Sequence, residues 1–137
     1  LGWVFRALDS QNYYAMKITL TKAGPLPTAS IVRYAVIDGK PGPKTQLPLP
    51  MAVRSDMMYR VRIEAEGSNF TTLVQDQVVD AWTDKRLAGG GIGFFSDPGE
   101  HARLRWVEVS HQSDLLGRLC AYLAPFDGRL TNRSLMR

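Results

Sequence analysis

An eight-residue alternation of apolar and charged side chains constrains the fold of this chain more than any other feature. The apolar and charged positions are, in turn, Tyr59, Arg60, Val61, Arg62, Ile63, Glu64, Ala65 and Glu66. A period of two is that of a β-strand with one face on a core and one face in solvent. Three further strand-and-turn units follow before His111, so the segment predicts antiparallel sheet.

Short strands separated by turn residues account for the rest of the chain as far as residue 111. Residues 3–8 and 12–20 predict an early hairpin, and residues 30–38, 57–66, 70–75, 78–83 and 92–95 predict further strands. Asp76-Gln77 is the expected two-residue turn of one hairpin. Pro48 and Pro50 restrict their segment to an edge strand or a loop. A last strand over residues 102–109 changes phase, which predicts a β-bulge near Arg105 and Trp106.

These elements predict an all-β fold, a jelly-roll β-sandwich of two antiparallel sheets with a short C-terminal helix. Residues 1–111 form the sandwich, and we expect strands that precede residue 1 to be missing from it. Leu116, Leu119, Cys120 and Leu123 recur at helical spacing, which predicts an amphipathic helix over residues 112–125. Residues 126–137 are predicted to be a basic, flexible tail.

Composition excludes several classes of protein. The 137 residues carry a formal net charge of +4, but they show no basic stripe with interleaved aromatic residues, so we expect no nucleic-acid partner. No apolar run approaches the ~20 residues of a transmembrane helix. Cys120 is the single cysteine, which rules out a disulfide within this segment.

Several segments together resemble the concanavalin A-like lectin/glucanase superfamily, closest to its laminin-G-like and keto-disaccharide-hydrolase-like bacterial branches. The segments are Gly2–Ala7, Asn12–Met16, Tyr59–Gly67, Gly91–Phe95 and Ala102–Val109. The resemblance covers Gly2 to about Ser110. It implies a jelly roll with a curved sheet, whose concave side binds sugars in many relatives. The Glu-x-Asp-x-x-Glu strand of the superfamily's glucanases has no match here, because Glu64-Ala65-Glu66 lacks the third acid.

A polar, outward-facing surface of the sandwich is the expected ligand-binding site. If Tyr59 and every second residue after it face the core, the side chains between them face solvent. The expected bulge then turns a tryptophan toward this solvent-facing surface. The site residues on this view are Arg6, Tyr13, Arg60, Arg62, Glu64 and Trp106. Planar guanidinium groups suit bidentate contacts with acceptor oxygens. We therefore expect a non-catalytic binding or interaction module for carbohydrate or polysaccharide, within a larger exported or cell-surface protein.

Two other functions stay open at this point. One is an enzyme that hydrolyses glycosides or acts on keto-sugars, with Glu64 and Glu66 as its acid and base, because two carboxyls two residues apart on a strand lie roughly 7 Å apart on one face. The loop acids Asp80, Asp84, Asp97 and Glu100 are alternatives for these roles. The other function is a protein-interaction module that binds another domain through the helix face from Leu116 to Leu123.

No cofactor is expected from the sequence. Asp9, Asn12 and Asp97 are candidate ligands for a structural calcium ion, because hard cations accept loop oxygens. His101 and His111 have no nearby cysteine or second histidine, so their spacing does not predict a zinc site.

Overall fold

Two antiparallel sheets that pack face to face form the main body of the molecule, as seen in a computed structural model. The structure describes residues 1–22, 27–54, 56–100 and 103–110. The strands are β1 (Gly2–Asp9), β2 (Asn12–Lys22), β3 (Thr28–Ile37), β4 (Lys40–Pro41), β5 (Thr45–Ala52), β6 (Val61–Glu66), β7 (Asn69–Val74), β8 (Gln77–Thr83) and β9 (Gly91–Phe95). None of the described residues is helical, so the all-β prediction is confirmed for this part of the chain.

The larger sheet has six strands, in the order β4-β3-β2-β1-β9, with β5 also paired to β3. The predicted early hairpin is confirmed as β1 and β2, which close at the pair Asp9 and Asn12. The Asp9 carboxylate accepts hydrogen bonds from the Gln11 backbone N–H (2.7 Å) and from the Asn12 amide. These bonds, the one from Gln11 above all, lower the pKa of Asp9. A short polar side chain that bonds its own turn is what Asp supplies at such positions.

Strand β5 confirms the prediction made from its prolines. It pairs with β3 alone, so it lies at an edge of the larger sheet. Pro48 stands opposite Ser30 in this ladder. Proline has no N–H to donate, and an edge strand needs backbone donors on one side only, which is why it tolerates Pro48 and Pro50.

The smaller sheet is a meander of β6, β7 and β8. Val74 pairs with Gln77, so the turn between β7 and β8 consists of Gln75 and Asp76, with φ angles of 52° and 62°. Two positive φ angles are those of a type I′ turn. The predicted turn at Asp76-Gln77 is therefore wrong by one residue. A turn there would pair Gln75 with Val78, whereas the observed ladder pairs Val74 with Gln77.

Replacing Asp76 with glycine is expected to stabilise the domain by about 0.5–1 kcal/mol, because glycine adopts positive φ without the steric cost that an aspartate pays. Thermal unfolding would show this as a rise in Tm of a few degrees. Asp76→Ala is the matched control, since it removes the carboxylate that faces Arg60 and Arg62 but keeps the strained backbone. Equal Tm values for the glycine and alanine variants would contradict the explanation based on φ.

Side chains from the facing sides of the two sheets build one core. Four aromatic rings meet at its centre with centroid separations of 4.4–6.3 Å: Phe5 and Tyr14 from the larger sheet, Phe70 and Trp82 from the smaller one. Tyr59, Val61 and Ile63 pack against this core, as the alternation of their segment predicted. Buried aromatic clusters of this kind stabilise a fold by more than the burial of their apolar area alone.

An ion pair also crosses between the sheets. The Arg33 side chain on β3 donates from Nε to the Asp80 carboxylate on β8 over 2.7 Å. The Asp80 side chain is only 3% exposed, and the guanidinium lies 4.8 Å from the centre of the Trp82 ring. Asp80 is therefore a strand residue inside the sandwich and not a loop acid.

Residues 103–110 belong to a second compact unit, which begins at Arg103. They form neither strand nor helix, and Leu104, Trp106, Val107 and Val109 are about half exposed. The predicted strand and bulge over this segment are wrong for the described residues: an alternating pattern supplies a suitable face but not the hydrogen-bonding neighbour that a strand requires. The predicted helix over residues 112–125 and the tail over 126–137 lie outside the described residues.

A membrane-spanning helix does not occur in the described ranges: none contains a helix both long and apolar enough to cross a bilayer.

Candidate functional site

The structure distributes the sequence-predicted site residues over different parts of the molecule. Arg62 and Glu64 lie on the outer face of the smaller sheet, 3.4 Å apart and about half exposed, and Arg60 lies 3.5 Å from Asp76 in the same charged group. Tyr13 lies on the outer face of the larger sheet, because its neighbour Tyr14 points into the core. Trp106, 57% exposed, belongs to the unit that begins at Arg103.

Arg6 lies between the sheets and supports a loop. It has a φ of 49° at an irregularity in β1, which turns its side chain toward the core. Its guanidinium lies 4.7 Å from the centre of the Phe70 ring and donates to the Leu87 carbonyl over 3.0 Å. Gly90 closes the same loop against the backbone of Arg6 and Ala7, where a Cβ would overlap Ala7. Glycine permits this close approach of two backbone segments because it has no Cβ.

The four acids considered as loop-end catalysts are held by three different cations. Asp80 pairs with Arg33, Asp84 with Arg86, and both Asp97 and Glu100 with Lys17. Hydrogen bonds from the Arg86 side chain lower the pKa of Asp84 to about 2, against the raising effect of burial. The structure therefore does not assemble these acids into one catalytic group.

The residues considered for calcium lie at opposite ends of the larger sheet. Asp9 ends β1, whereas Asp97 follows Phe95, which pairs with Gly2 at the start of β1. The Asn12 side-chain oxygen accepts from the Asp38 N–H over 3.0 Å. Within the described ranges, no group of three or more His, Cys, Asp or Glu side chains is placed to hold a metal ion. His101 and His111 lie outside those ranges.

A pocket of about 360 Å³ lies on the outer face of the larger sheet. The register of the strands forms this pocket, because it places residues of five strands, from β9 to β5, side by side in one row. The row consists of Phe95, Gly2, Lys17, Val32 and Gln46. Gly2 provides the space for an aromatic wall, since the Phe95 ring lies where a Cβ at residue 2 would be. The volume falls in the range of about 300–1,000 Å³ that is usual for small-molecule sites.

A second aromatic ring and several polar groups complete the pocket. Tyr34 on β3 lines it, together with Thr19 on β2 and Asp97 after β9. The Lys44 ammonium lies 5.2 Å from the centre of the Tyr34 ring, within the range of a cation–π contact. Partial burial raises the pKa of Tyr34, so its hydroxyl is a neutral donor and acceptor at physiological pH.

Lys17 is the charged centre of the pocket wall. Its ammonium contacts both Asp97 and Glu100, and its side chain is 13% exposed. These hydrogen bonds, the one to Asp97 first, raise the pKa of Lys17, and the bond from Lys17 lowers the pKa of Glu100 to about 2. The ion pairs join the middle of β2 to the turn at residues 97–100, which closes with a hydrogen bond from the Glu100 N–H to the Asp97 carbonyl (3.0 Å).

Sequence reasoning identified the core-facing side of residues 59–66 but missed the pocket residues Lys17, Tyr34, Gln46 and Phe95. Val32 and Tyr34 lie two residues apart on β3 and therefore on the same side of that strand. No local pattern shows that β9 and β5 lie on opposite sides of β1, β2 and β3, and that arrangement creates the pocket.

No protein family matches the chain, and comparisons with curated proteins and with solved structures likewise give no match. The function is therefore inferred from the residues of the pocket.

Proposed function

We propose that this protein is a non-catalytic carbohydrate-binding module and that the pocket on the outer face of the larger sheet is its ligand site. The observation that carries the proposal is the pairing of two aromatic walls, Tyr34 and Phe95, with polar groups from Lys17, Thr19 and Gln46 in one pocket. Saccharides combine C–H faces with dense hydroxyl groups. A site for them needs aromatic surface and hydrogen-bonding side chains at close range.

The proposal places the ligand on a different face from the one that the sequence indicated. Arg62 and Glu64 lie on the outer face of the smaller sheet, where the Arg62 guanidinium faces Glu64 and Asp76. These charged groups pair with one another, and exposed ion pairs of this kind contribute little to stability. The aromatic walls, in contrast, lie on the larger sheet, as does Tyr13.

The electrostatics of the pocket favour binding over hydrolysis. A glycosidase needs one carboxyl that keeps its proton near neutral pH, which requires a raised pKa. Asp97 lines this pocket, and the neighbouring Glu100 also contacts Lys17, which lowers the pKa of Glu100 to about 2. Glu100 is therefore ionised at neutral pH and has no proton to donate to a leaving group.

We also propose a jelly-roll architecture for the sandwich, followed by a helix over residues 112–125. The two packed antiparallel sheets and the resemblance of residues 2–110 to concanavalin A-like proteins support the jelly roll. A carbohydrate-binding module of this kind acts within a larger exported or cell-surface protein.

The experiment compares the two outer faces directly. A glycan array selects a ligand, and isothermal titration calorimetry then measures its Kd for the wild type, for Tyr34→Ala and for Arg62→Ala. Loss of the Tyr34 ring is expected to weaken binding at least about tenfold, equivalent to about 1.4 kcal/mol. Arg62→Ala is the control on the other sheet and is expected to leave the Kd unchanged. Thermal unfolding of both variants shows that they are folded.

Three results would overturn the proposal. An affinity that depends on Arg62 and not on Tyr34 would move the site to the smaller sheet. Binding of no glycan at all would favour a protein-interaction module. Turnover of a glycoside that Glu64→Gln and Glu66→Gln abolish would make the protein an enzyme.

A further inference from the structure

The two lysines of the pocket differ in how their charge is used. The Lys17 ammonium contacts two carboxylates, Asp97 and Glu100, so its positive charge is compensated within the fold. Lys44 is exposed and forms no ion pair with any of the residues that the structure describes. Two lysines and two carboxylates thus balance at the pocket, and Lys44 is the lysine that no carboxylate contacts among the described residues.

The Lys44 ammonium is also positioned by its contact with a pocket wall. It lies 5.2 Å from the centre of the Tyr34 ring. An ammonium over an aromatic face keeps its charge and is held weakly near the ring, by about 0.5–1 kcal/mol at an exposed site. Lys44 immediately precedes β5, the edge strand that borders this end of the pocket.

We propose that the ligand is an anionic saccharide whose carboxylate or sulfate group binds Lys44, while its sugar ring lies between the aromatic walls. This inference rests on the proposed function and names the chemical class of the ligand. A charge-assisted bond to an ammonium is about twice as strong as one between neutral groups.

The test compares one oligosaccharide with and without its charge. Calorimetry measures the Kd for oligogalacturonate, for its neutral methyl ester and for a sulfated galactan oligosaccharide. The wild type is expected to bind an acidic sugar at least tenfold more tightly than the neutral ester. Whether the carboxylated or the sulfated sugar binds more tightly identifies the anionic group. Raising the salt concentration from about 0.1 M to about 1 M should reduce this preference, since the Debye length falls from about 10 Å to about 3 Å.

Variants assign the preference to one side chain. Lys44→Met keeps the aliphatic stem and removes the charge, so it should abolish the preference for acidic sugars. Lys44→Arg keeps the charge and should retain the preference. Lys85→Met is the matched control: Lys85 is equally charged and exposed but borders a separate pocket beside Arg6, and its replacement should leave the preference intact.

The outcomes separate the two proposals. Equal affinity for the acid and its methyl ester, with binding still lost in Tyr34→Ala, would overturn the inference about charge and leave the carbohydrate site in place. A preference for acidic sugars that survives Lys44→Met would overturn the assignment to Lys44. Absence of binding to any saccharide would overturn both proposals.

Discussion

Replacing Phe70 with alanine is expected to lower the free energy of unfolding by about 3–5 kcal/mol. The Phe70 side chain is 1% exposed, and its ring stacks on Trp82 with the centroids 4.4 Å apart. It also contacts Tyr14 and Phe5 of the opposite sheet, with centroid separations of 5.3 and 5.6 Å. Removing the ring leaves a cavity at the point where the two sheets meet. Since small domains are stable by only about 5–15 kcal/mol, this loss is a large fraction of the total stability.

Urea unfolding followed by circular dichroism measures this change. Phe70→Leu retains part of the volume and should lose about half as much stability as the alanine variant. Val78→Ala is a control on the same sheet, because Val78 is 57% exposed, and a surface change of this kind should alter stability by less than about 0.5 kcal/mol. A loss below about 1 kcal/mol for Phe70→Ala would contradict the packing of the two sheets through this ring.

Replacing Asp80 with alanine is expected to lower the free energy of unfolding by about 3 kcal/mol, because Arg33 then remains between the sheets without its counter-ion. The Asp80 side chain is 3% exposed and that of Arg33 24% exposed. Because water partly reaches the guanidinium, the expected loss of stability lies at the lower end of the range for breaking a buried ion pair. The remaining contact of Arg33 with Trp82, at 4.8 Å, does not replace a carboxylate.

A double-mutant cycle with Arg33→Met isolates the interaction. The double variant should be more stable than Asp80→Ala alone, since it no longer buries an unpaired charge. Asp56→Ala offers a matched control, because Arg54 and Asp56 form the same kind of pair at 2.7 Å but with both side chains more than 60% exposed. This surface pair should be worth about 1 kcal/mol or less. Equal losses at Asp80 and Asp56 would show that the pair between the sheets has no special role.

Local patterns were sufficient where a strand or turn depends on adjacent residues. The alternation of residues 59–66 correctly placed Tyr59, Val61 and Ile63 toward the core, although the strand itself begins at Val61. The turn residues between Asp9 and Asn12 predicted the first hairpin, and two prolines predicted an edge strand. In each case the chemistry of neighbouring side chains decides the local backbone.

Local patterns failed where the outcome depends on a distant partner. Gln75 and Asp76 take positive φ although neither is glycine, because the ladder pairs Val74 with Gln77 and leaves these two residues to form the turn. Residues 103–110 alternate like a strand, yet they form none. Arg6 was expected to face solvent, but an irregularity in β1 turns it toward Phe70.

The sequence by itself determined that most of the described residues form antiparallel strands, and which side of residues 59–66 faces the core, because a period of two is a local property. Only the tertiary structure decided which strands are neighbours. Backbone hydrogen bonds place Phe95 beside Gly2, and Lys17 between Gly2 and Val32, although these residues are far apart along the chain. Strand pairing gains its energy from such non-local contacts, so the candidate site exists only once the larger sheet has formed.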